Sequence, residues 1–585
     1  DPQFGTGAVK VTPAHDPLDY QIGLTHHLPQ INILTPDGRI NEKGGKFAGL
    51  SIDAARKAVV EDLKSLGLIE KIEPHIHRVG LSYRSKAVVE PYLSKQWFVK
   101  MDGFGQALKK ALSSGAISLI PPHWEKTYLH WVENLRDWCI SRQLWWGHQI
   151  PIWYDVEDVS RMICCDGEGV PPEVALNPTK WRQDEDVLDT WFSSALWPFS
   201  TLDWPDKNPF YTKLNPNSVL VTGHDILFFW VARMLFMGEY ATGELPFPKV
   251  FLHGLIYGKS YWKKETSGDS TYINGAEKRA FDEGKPLPAG VFSKWEKMSK
   301  TKGNIIDPLE MIEKYGTDSV RMALAASATQ ARQIDLDFRR FEEFKNFTTK
   351  LWNGSRFVLM HLRGDSTKGT SPLSSNAFFQ GIQIEELLLE DRWILSLIAK
   401  TVQEVTEHLD KYQFDQAAQK SYNFFWKEFC AYYVEISKPI LNGKLGTAQQ
   451  RETKQKVLVL VLSQSIRLLH PIAPFVTEEL FHALQEQLPL APLGKNVDSL
   501  TQEVAASMQA ACCALSPYPA AHSWVEEELI SRFALIEELV YTLRNLRGER
   551  QLAPGVSTPL VIVMDLQDTD REWVDAHQNI LRALV

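Results

Sequence analysis

Hydrophobic and polar positions follow helical and strand periods in different parts of the chain. Over residues 51–67 apolar residues recur every three or four positions, which predicts an amphipathic helix that Gly67 ends. The apolar segments 218–221 and 249–256 each precede or contain a glycine. Short runs of this kind are typical of buried parallel strands, whose carboxyl ends are where ligands bind in open α/β sheets. After Ala325 the helical period dominates, so an α/β region followed by helices is predicted.

Weaker alternation predicts further strands. A short strand is expected over residues 8–12, directly before a loop that contains Asp16 and Asp19. The segment 75–100 also alternates and is rich in Val, Tyr and Arg, so it is expected to run as strands. Residues 559–563 are predicted to form a strand that opens a small further module.

The most distinctive polar segment is the stretch 297–304, which carries three lysines and ends in glycine and asparagine. Asp307 and Pro308 suit the N-cap and first position of a helix that Gly316 ends, and Asp318 is predicted to cap the next helix. A lysine ammonium is a compact charge on a flexible stem, so this loop suits a polyphosphate. A solvated surface loop is the other interpretation of the same residues.

Composition narrows the class of protein. The chain has 585 residues, of which 44% are hydrophobic and 23% charged, as in soluble globular proteins of several domains. A net charge of -9 argues against a protein that coats DNA or RNA indiscriminately, but it allows a local basic groove. Apolar runs such as 457–462 are far shorter than the ~20 residues of a membrane span. We therefore expect a cytoplasmic protein with neither membrane nor DNA as partner.

The six cysteines do not form a recognisable metal motif. None belongs to a C-x-x-C pair, and Cys164 and Cys165 are adjacent, so their side chains diverge too much for a tetrahedral site. Without a secretory context, reduced thiols are expected. We predict no structural zinc.

The Lys297 segment carries a resemblance to a known family. Lys297-Met298-Ser299-Lys300-Thr301 is similar to the second signature loop of class I aminoacyl-tRNA synthetases, usually written KMSKS, with threonine in the last place. The residues that follow, up to position 321, keep the family's order. The segment 134–151 resembles a signature of the valyl, isoleucyl and leucyl group, and 468–476 resembles the group's helical anticodon-binding domain. The likeness runs in consistent order from Gly5 to about Val563.

This resemblance implies a site for ATP accompanied by Mg2+. Lys297 and Lys300 would stabilise the transition state in which the amino acid is activated. The residues implied around ATP or the adenylate are Gly223, Asp225, His253, Gly254, Lys297, Met298, Ser299, Lys300 and Thr301. The nearby run 254–260 is not a P-loop, because three residues rather than four separate its glycines.

Two tryptophan-containing segments are assigned by the same resemblance. Residues 186–194 read as in the valine-specific branch, whereas isoleucyl enzymes carry an acid after the Trp-Phe pair. Trp191 is then expected to line the pocket for the valine side chain, and ordinary core is the alternative. Trp145 and Trp146 are either core or a base-stacking surface.

An editing site is implied near the start of the chain. Two carboxylates three residues apart face one way if a helical turn begins at Asp16, and an N-cap is the alternative role of that residue. By resemblance, Lys10, Thr12, Asp16 and Asp19 are editing-pocket residues, with Asp16 binding the α-amino group and Asp19 recognising the threonine hydroxyl. Such a site is needed because threonine and valine are nearly isosteric.

The predicted fold class is α/β multidomain. It comprises the second half of a Rossmann-type parallel-sheet catalytic domain, part of a β-rich editing domain and an α-helical anticodon-binding domain. The expected segments are 1–122 for editing, 123–305 for catalysis, 306–375 for a helical stem-contact region and linker, 376–545 for anticodon binding and 546–585 for a small module. The chain resembles a fragment, because the family's His-x-Gly-His signature does not occur in it.

The function implied is ligation of L-valine to tRNA(Val) with ATP, by a monomer that also hydrolyses threonyl-tRNA(Val). The fragment by itself is expected not to activate valine. An isoleucyl enzyme, a tRNA-binding protein without catalysis and a stand-alone editing hydrolase are the alternatives. Basic and aromatic residues of segment 338–356, among them Phe338, Lys345, Lys350 and Arg356, either touch tRNA phosphates or form a charged helix face.

Overall fold

A computed structural model describes residues 3, 7–82, 85, 87–165, 167, 169–265, 270–364, 370–553, 556 and 568–585, with the backbone alone at Thr301 and Thr569. The strand expected at 559–563 lies outside these residues. The chain forms two compact units. One comprises Asp1–Gly103 and Leu135–Ser193, and the other comprises Phe104–Asn134 and Ser194–Val585.

Helices dominate the second half of the chain. The α-helices are α1 (Pro17–Thr25), α2 (Ile52–Ser65), α3 (Asp102–Ser113), α4 (Trp124–Glu133), α5 (Pro172–Leu176), α6 (Thr190–Ala195), α7 (Trp197–Ser200), α8 (Pro209–Leu214), α9 (Ala232–Thr242), α10 (Gly275–Asp282), α11 (Pro308–Tyr315), α12 (Thr317–Ser327), α13 (Phe338–Leu362), α14 (Ser375–Phe378), α15 (Leu389–Asp410), α16 (Phe414–Asn423), α17 (Val434–Leu441), α18 (Ala448–Leu469), α19 (Pro474–Gln487), α20 (Ser499–Ser507), α21 (Glu527–Glu549), α22 (Asp568–Ala576) and α23 (Gln578–Leu584). Two π-helical segments, Leu227–Val231 and Phe424–Tyr433, lead into α9 and α17.

The strands are short except for two. They are β1 (Phe98–Val99), β2 (Ser118–Ile120), β3 (Trp138–Cys139), β4 (Ser141–Arg142), β5 (Ile152–Asp155), β6 (Met162–Cys164), β7 (Trp181–Gln183), β8 (Val187–Leu188), β9 (Leu220–Gly223), β10 (Lys249–His253), β11 (Leu255–Lys264), β12 (Ser270–Tyr272), β13 (Val291–Lys297) and β14 (Gln333–Asp335). In the first unit β1 pairs with β3, β4 with β8, and β5 lies between β6 and β7, all antiparallel.

A parallel sheet in the second unit has the order β2-β10-β9, as the class of fold requires. In its register His253 lies opposite Gly223, so β9 and β10 end at the same edge. A second sheet continues from it: β11 pairs antiparallel with β12 and β13 and parallel with β14. The chain therefore passes from the parallel sheet directly into β11, the strand that pairs with β13, which ends at Lys297.

The strand predicted over residues 8–12 is wrong, because no strand pairing is found among these described residues. The prediction over 75–100 is confirmed only in part: among its described residues, β1 pairs with β3 and Leu81 bridges Val88, and the remainder has no strand pairing. A strand is stabilised by a neighbour that satisfies its backbone groups, and the described residues place none beside 8–12. Alternation of residue types alone did not suffice.

The helix starts predicted around residue 307 are confirmed with one correction. The Asp307 carboxylate accepts from the Leu309 amide at 2.9 Å, and Gly316 ends α11 with φ of 89°. Asp318, however, does not cap its own helix. It is buried and accepts from the Phe475 and Val476 amides at 3.2 and 2.6 Å, so it caps α19 instead.

A single hydrophobic core extends from Met311 to Leu584 through the helical part of the second unit. Within it, the Phe424–Tyr433 segment carries Glu428, whose Oε2 is buried without a hydrogen-bond partner among the described residues. The pKa of Glu428 is raised from 4.5 to about 7. Burial is the main cause, and the nearby Glu537 carboxylate adds a smaller contribution in the same direction. Lys427 and Lys420 oppose this shift.

Glu428→Gln is expected to flatten the dependence of stability on pH. The folded state holds the proton more tightly than the unfolded chain, so this group's contribution is favourable below about pH 4.5 and is lost as pH rises to about 7. At pH 8 the variant should be more stable by about 1–3 kcal/mol, and at pH 4.5 about equal. Urea unfolding followed by helical circular dichroism checks this, with exposed Glu549→Gln as control; parallel curves for wild type and Glu428→Gln would contradict it.

Candidate functional site

The carboxyl edge of the parallel sheet brings together four of the predicted site residues. Gly223 and His253 are direct neighbours across β9 and β10, and Asp225 and Gly254 follow them. A Cβ added at Gly223 would lie 2.7 Å from Asp225 Oδ1 and 3.7 Å from His253 Cε1. The absence of a side chain at Gly223 therefore allows the acid and the imidazole to approach the same spot.

The Lys297 loop reaches this edge through an ion pair. Lys297 is the last residue of β13, and its Nζ lies 3.5 Å from Asp225 Oδ2. Both side chains are substantially exposed, at 70% and 40%, so the pair is worth at most about 1 kcal/mol. An anionic ligand can therefore displace it readily. The geometry places a lysine and a carboxylate at glycine-lined strand ends, which suits the phosphate and sugar of a nucleotide.

Asn304 anchors the loop, a role that sequence reasoning missed. Its buried side-chain amide donates to the carbonyls of Gly258, Glu296 and Lys297 at 3.2, 3.2 and 3.4 Å. Its Oδ1 accepts from the Ser299 amide at 2.7 Å. One side chain thus ties the paired strands β11 and β13 to the turn that follows β13. The only signal in the sequence was the Gly-Asn pair that ends the lysine run.

The three lysines of the loop are not equivalent. Lys302 forms a 2.5 Å ion pair with Glu296, and this hydrogen bond raises the pKa of Lys302. Lys302 is therefore engaged within the loop, whereas Lys297 and Lys300 are the two lysines that the resemblance assigns to the substrate. In the part of the chain that the structure describes, Lys300 has no ion-pair partner. Met298 and Ser299 are half-buried, and the side chain of Thr301 lies outside the described residues.

A stack of three side chains borders the same edge. The Trp124 ring lies 4.7 Å from the His224 ring and 4.5 Å from the Arg332 guanidinium. Burial lowers the pKa of His224, so its imidazole is neutral near pH 7. Its Nδ1 is buried without a hydrogen-bond partner among the described residues, which leaves a polar atom for a ligand or water. Sequence patterning had assigned no role to these residues.

Trp191 lies in the first unit, where Asp189 organises its surroundings. The buried Asp189 Oδ2 accepts from Trp138 Nε1 at 3.0 Å and from Arg142 at 2.9 Å. Asp189 Oδ1 accepts from the Trp191 amide at 3.3 Å. Segments 134–151 and 186–194, which the sequence analysis treated separately, are thereby joined. The Trp191 ring is half-buried, consistent with either a pocket wall or a core position.

The predicted editing residues lie around the start of α1. Asp16 is its N-cap and accepts from the Leu18 and Asp19 amides at 2.8 and 2.9 Å, which confirms the helical turn. Asp19 Oδ2 accepts from the Thr12 amide at 2.7 Å and from its hydroxyl at 3.0 Å. The Thr12 backbone hydrogen bond lowers the pKa of Asp19, as do the hydroxyl and Lys10. Hydrogen bonds therefore hold Thr12, Asp16 and Asp19 together, and Lys10 lies near enough to Asp19 to lower the pKa of that carboxyl.

Most of this chain is similar in sequence to known proteins. Residues 57–266 and 292–337 match the model of class I tRNA synthetases (I, L, M and V), and 391–562 match the anticodon-binding domain of tRNA ligases. The chain is 62% identical over 580 residues to a valine–tRNA ligase of Protochlamydia amoebophila, and 52% over 565 residues to one of Chlamydia felis. The chain carries a class I tRNA synthetase domain and an anticodon-binding domain of tRNA ligases. It spans 61% and 59% of these relatives' lengths.

One solved structure of a class I synthetase is a more distant match. Methionyl-tRNA synthetase of Mycobacterium tuberculosis bound by methionyl-adenylate aligns with 76% of this chain and 71% of its own, at 17% identity and a TM-score of 0.49.

Within the described residues, no helix of this chain is long and apolar enough to cross a membrane.

The glycine-rich run 254–260 is not a phosphate-binding loop in this chain. Residues Leu255–Lys264 form one continuous strand, so the motif lacks the loop and following helix of a P-loop. A Cβ at Gly254 would lie 2.5 Å from the Ala331 carbonyl oxygen. This glycine serves close backbone packing, which confirms that the P-loop interpretation was rightly rejected.

Proposed function

We propose that this chain is part of an enzyme that joins L-valine to tRNA(Val) using ATP. The observation that carries the proposal is the Lys297–Asp225 ion pair, which links the signature loop to the glycine-lined strand ends. The valine specificity is supported by the two valine–tRNA ligases reported above, at 62% and 52% identity. The segments 1–122, 123–305, 306–375, 376–545 and 546–585 are proposed as its editing, catalytic, stem-contact, anticodon-binding and final regions.

In the proposed reaction, the valine carboxylate attacks the α-phosphate of Mg2+-bound ATP and pyrophosphate leaves. Negative charge builds on the α-phosphate and the leaving group, where Lys297 and Lys300 would bind more strongly than in the ground state. Lys297 must first exchange Asp225 for the phosphate. Asp225 is then free to accept from the ribose hydroxyls, with Gly223 beside it and with His253 and Gly254 on the adenine side.

Valine selection is assigned to Trp191, whose position is fixed through Asp189. A rigid indole wall limits the size of the side chain that enters but discriminates weakly against threonine, which has nearly valine's shape. The cluster of Lys10, Thr12, Asp16 and Asp19 is proposed to test for the threonine hydroxyl in a separate hydrolytic step. The lowered pKa of Asp19 keeps it ionised as an acceptor for that hydroxyl.

The proposal is tested by amino-acid-dependent ATP–pyrophosphate exchange on the product of the whole reading frame that contains this chain. Valine should give strong exchange, threonine weak exchange, and isoleucine and leucine little. The 585-residue chain by itself should give none, because the sequence contains no His-x-Gly-His signature. A preference for isoleucine would refute the valine assignment. Exchange by the 585-residue chain would show that the ATP site is misplaced.

A further inference from the structure

A cavity lies on the second unit, and none of its lining residues is among those assigned to ATP. Its volume is about 730 Å³, within the range of small-molecule sites. Its walls come from β11, α10, the end of α11 and the start of α13. The residues that line it include Trp295, Asn304, Lys314, Tyr315, Phe338 and Lys345.

Part of the wall is outside the matched catalytic fold. Residues 278–284, at the end of α10 and just beyond it, line the cavity, whereas the class I synthetase model matches 57–266 and 292–337 and leaves 267–291 unmatched. The cavity therefore depends on a segment, 267–291, that the class I synthetase model does not match. A ligand bound there would contact elements that the common catalytic fold does not supply.

Two ammonium groups converge on one side of this cavity. Lys314 Nζ and Lys345 Nζ lie 5.1 and 6.0 Å from the centroid of the Tyr315 ring, and Lys345 donates to the Lys314 carbonyl at 3.2 Å. The facing acid is Glu283, whose contact with Lys314 is long at 3.8 Å. Two ammonium groups beside one ring, the second hydrogen-bonded to the backbone of the residue that carries the first, favour an anion that contacts both.

The other charges on the wall mostly neutralise one another. Asp282 pairs with Lys278 at 2.5 Å and Asp337 pairs with Arg339 at 2.7 Å. Of the remaining charged groups that line the cavity, Lys259 lies over the Tyr261 ring at 5.4 Å and Glu342 is exposed. The net charge of the lining is therefore slightly positive and is concentrated at Lys314 and Lys345.

Aromatic side chains line the same cavity as Lys314 and Lys345. The side chains of Trp295 and Phe338 line the cavity and are half-buried. Stacking of a base on such a ring contributes about 1–3 kcal/mol and tolerates any base. A ring and a pair of ammonium groups that line one cavity match the two parts of a nucleotide.

We infer that this cavity binds a nucleotide unit, with its phosphate between Lys314 and Lys345 and its base against Trp295. The nucleotide is either free or one residue of the bound tRNA, and the second source rests on the proposed function. Asn304 lines the same cavity and anchors the 297–303 loop. Occupancy would therefore restrain the loop through Asn304.

The test uses the charge-reversal variant Lys314→Glu/Lys345→Glu in the 585-residue chain, with cytidine 5′-monophosphate, inorganic phosphate and a tRNA(Val) transcript as probes. Lys207→Glu is the matched control, since it reverses an exposed charge of the second unit outside the cavity and outside segment 338–356. Calorimetry should show at least ten-fold weaker binding of the affected probe in the double variant and less than two-fold in the control. For tRNA, the slope of log affinity against log salt should fall by about two, one per lost phosphate contact.

A second variant tests whether the base stacks on the Trp295 ring. Bound nucleotide should quench part of the tryptophan emission, and Trp295→Phe should remove that part of the quenching although 18 of the 19 tryptophans remain (19 − 1). Loss of cytidine monophosphate binding with intact tRNA binding identifies a free nucleotide, and the reverse identifies the tRNA. Unchanged binding of every probe, or equal losses in Lys207→Glu, overturns the inference. The valine-dependent ATP–pyrophosphate exchange assay contains no tRNA. A negative result in that assay would therefore contradict the proposed function and not the nucleotide site.

Discussion

Replacement of Lys454 by methionine is expected to destabilise the helical core by about 3–5 kcal/mol. Lys454 lies in the middle of α18 and is fully buried. Its Nζ lies 2.5 Å from Glu390 Oε1 and 2.7 Å from Asp391 Oδ1, both at the start of α15. Methionine fills the same volume but leaves two buried carboxylates without their cation, and each then bears its desolvation cost unopposed.

The network also fixes the π-helical segment. The Tyr433 hydroxyl donates to Asp391 Oδ1 at 2.6 Å, and the Lys454 ammonium lies 5.2 Å from the Tyr433 ring. Loss of the cation therefore affects three elements of one core. Denaturant unfolding followed at 222 nm measures the effect, because that signal reports mainly the helices.

Two further variants make this test specific. Lys411→Met removes an exposed lysine and should change the free energy of unfolding by less than about 0.5 kcal/mol. The triple variant Lys454→Met/Glu390→Gln/Asp391→Asn removes the unpaired charges together with the cation. It should recover at least half of the loss, since neutral amides are less costly to bury than carboxylates. A loss for Lys454→Met no larger than that for Lys411→Met would show that the ion-pair cluster is not a stabilising requirement.

Gly258→Ala is expected to displace the 297–304 loop. An added Cβ at Gly258 would lie 1.9 Å from the Asn304 carbonyl oxygen, and the contacted atom is backbone, so it cannot move aside by a change of rotamer. Strand β11 or the loop must shift, at a cost of about 1–3 kcal/mol or more. The Asn304 amide, which donates to the Gly258 carbonyl, would lose its geometry at the same time.

Hydrogen exchange of the 585-residue chain measures the displacement directly. The Ser299 amide, which donates to Asn304 Oδ1 at 2.7 Å, should lose protection in Gly258→Ala. Gly548→Ala is the control, because no atom lies within 4 Å of its added Cβ. In the full reading-frame product, the same substitution should lower valine-dependent exchange at least 100-fold, since about 2.7 kcal/mol of transition-state binding would be lost. Unchanged protection at Ser299 would contradict the anchoring role of Asn304.

Much of the local structure and the family could be derived from the sequence alone. The Asp307-Pro308 start and Gly316 end of α11 depend on backbone preferences within a few residues, so residue types sufficed to predict them. The strand ends at Gly223 and His253 were predictable for the same reason. The lysine signature, with its threonine in the last place, identified the family because its order extends over consecutive residues.

Tertiary structure decided which partner each polar group has. Asp318 caps a helix that begins at Pro474, Lys302 pairs with Glu296 on the preceding strand, and Lys454 is buried between two acids more than sixty residues earlier. Backbone preferences act between neighbours, whereas ion pairs, caps and strand pairing depend on which distant segment packs alongside. The sequence by itself therefore determined the helices and the signature loop. The tertiary structure alone decided how that loop is anchored, which of its lysines is engaged, and that residues 8–12 form no strand.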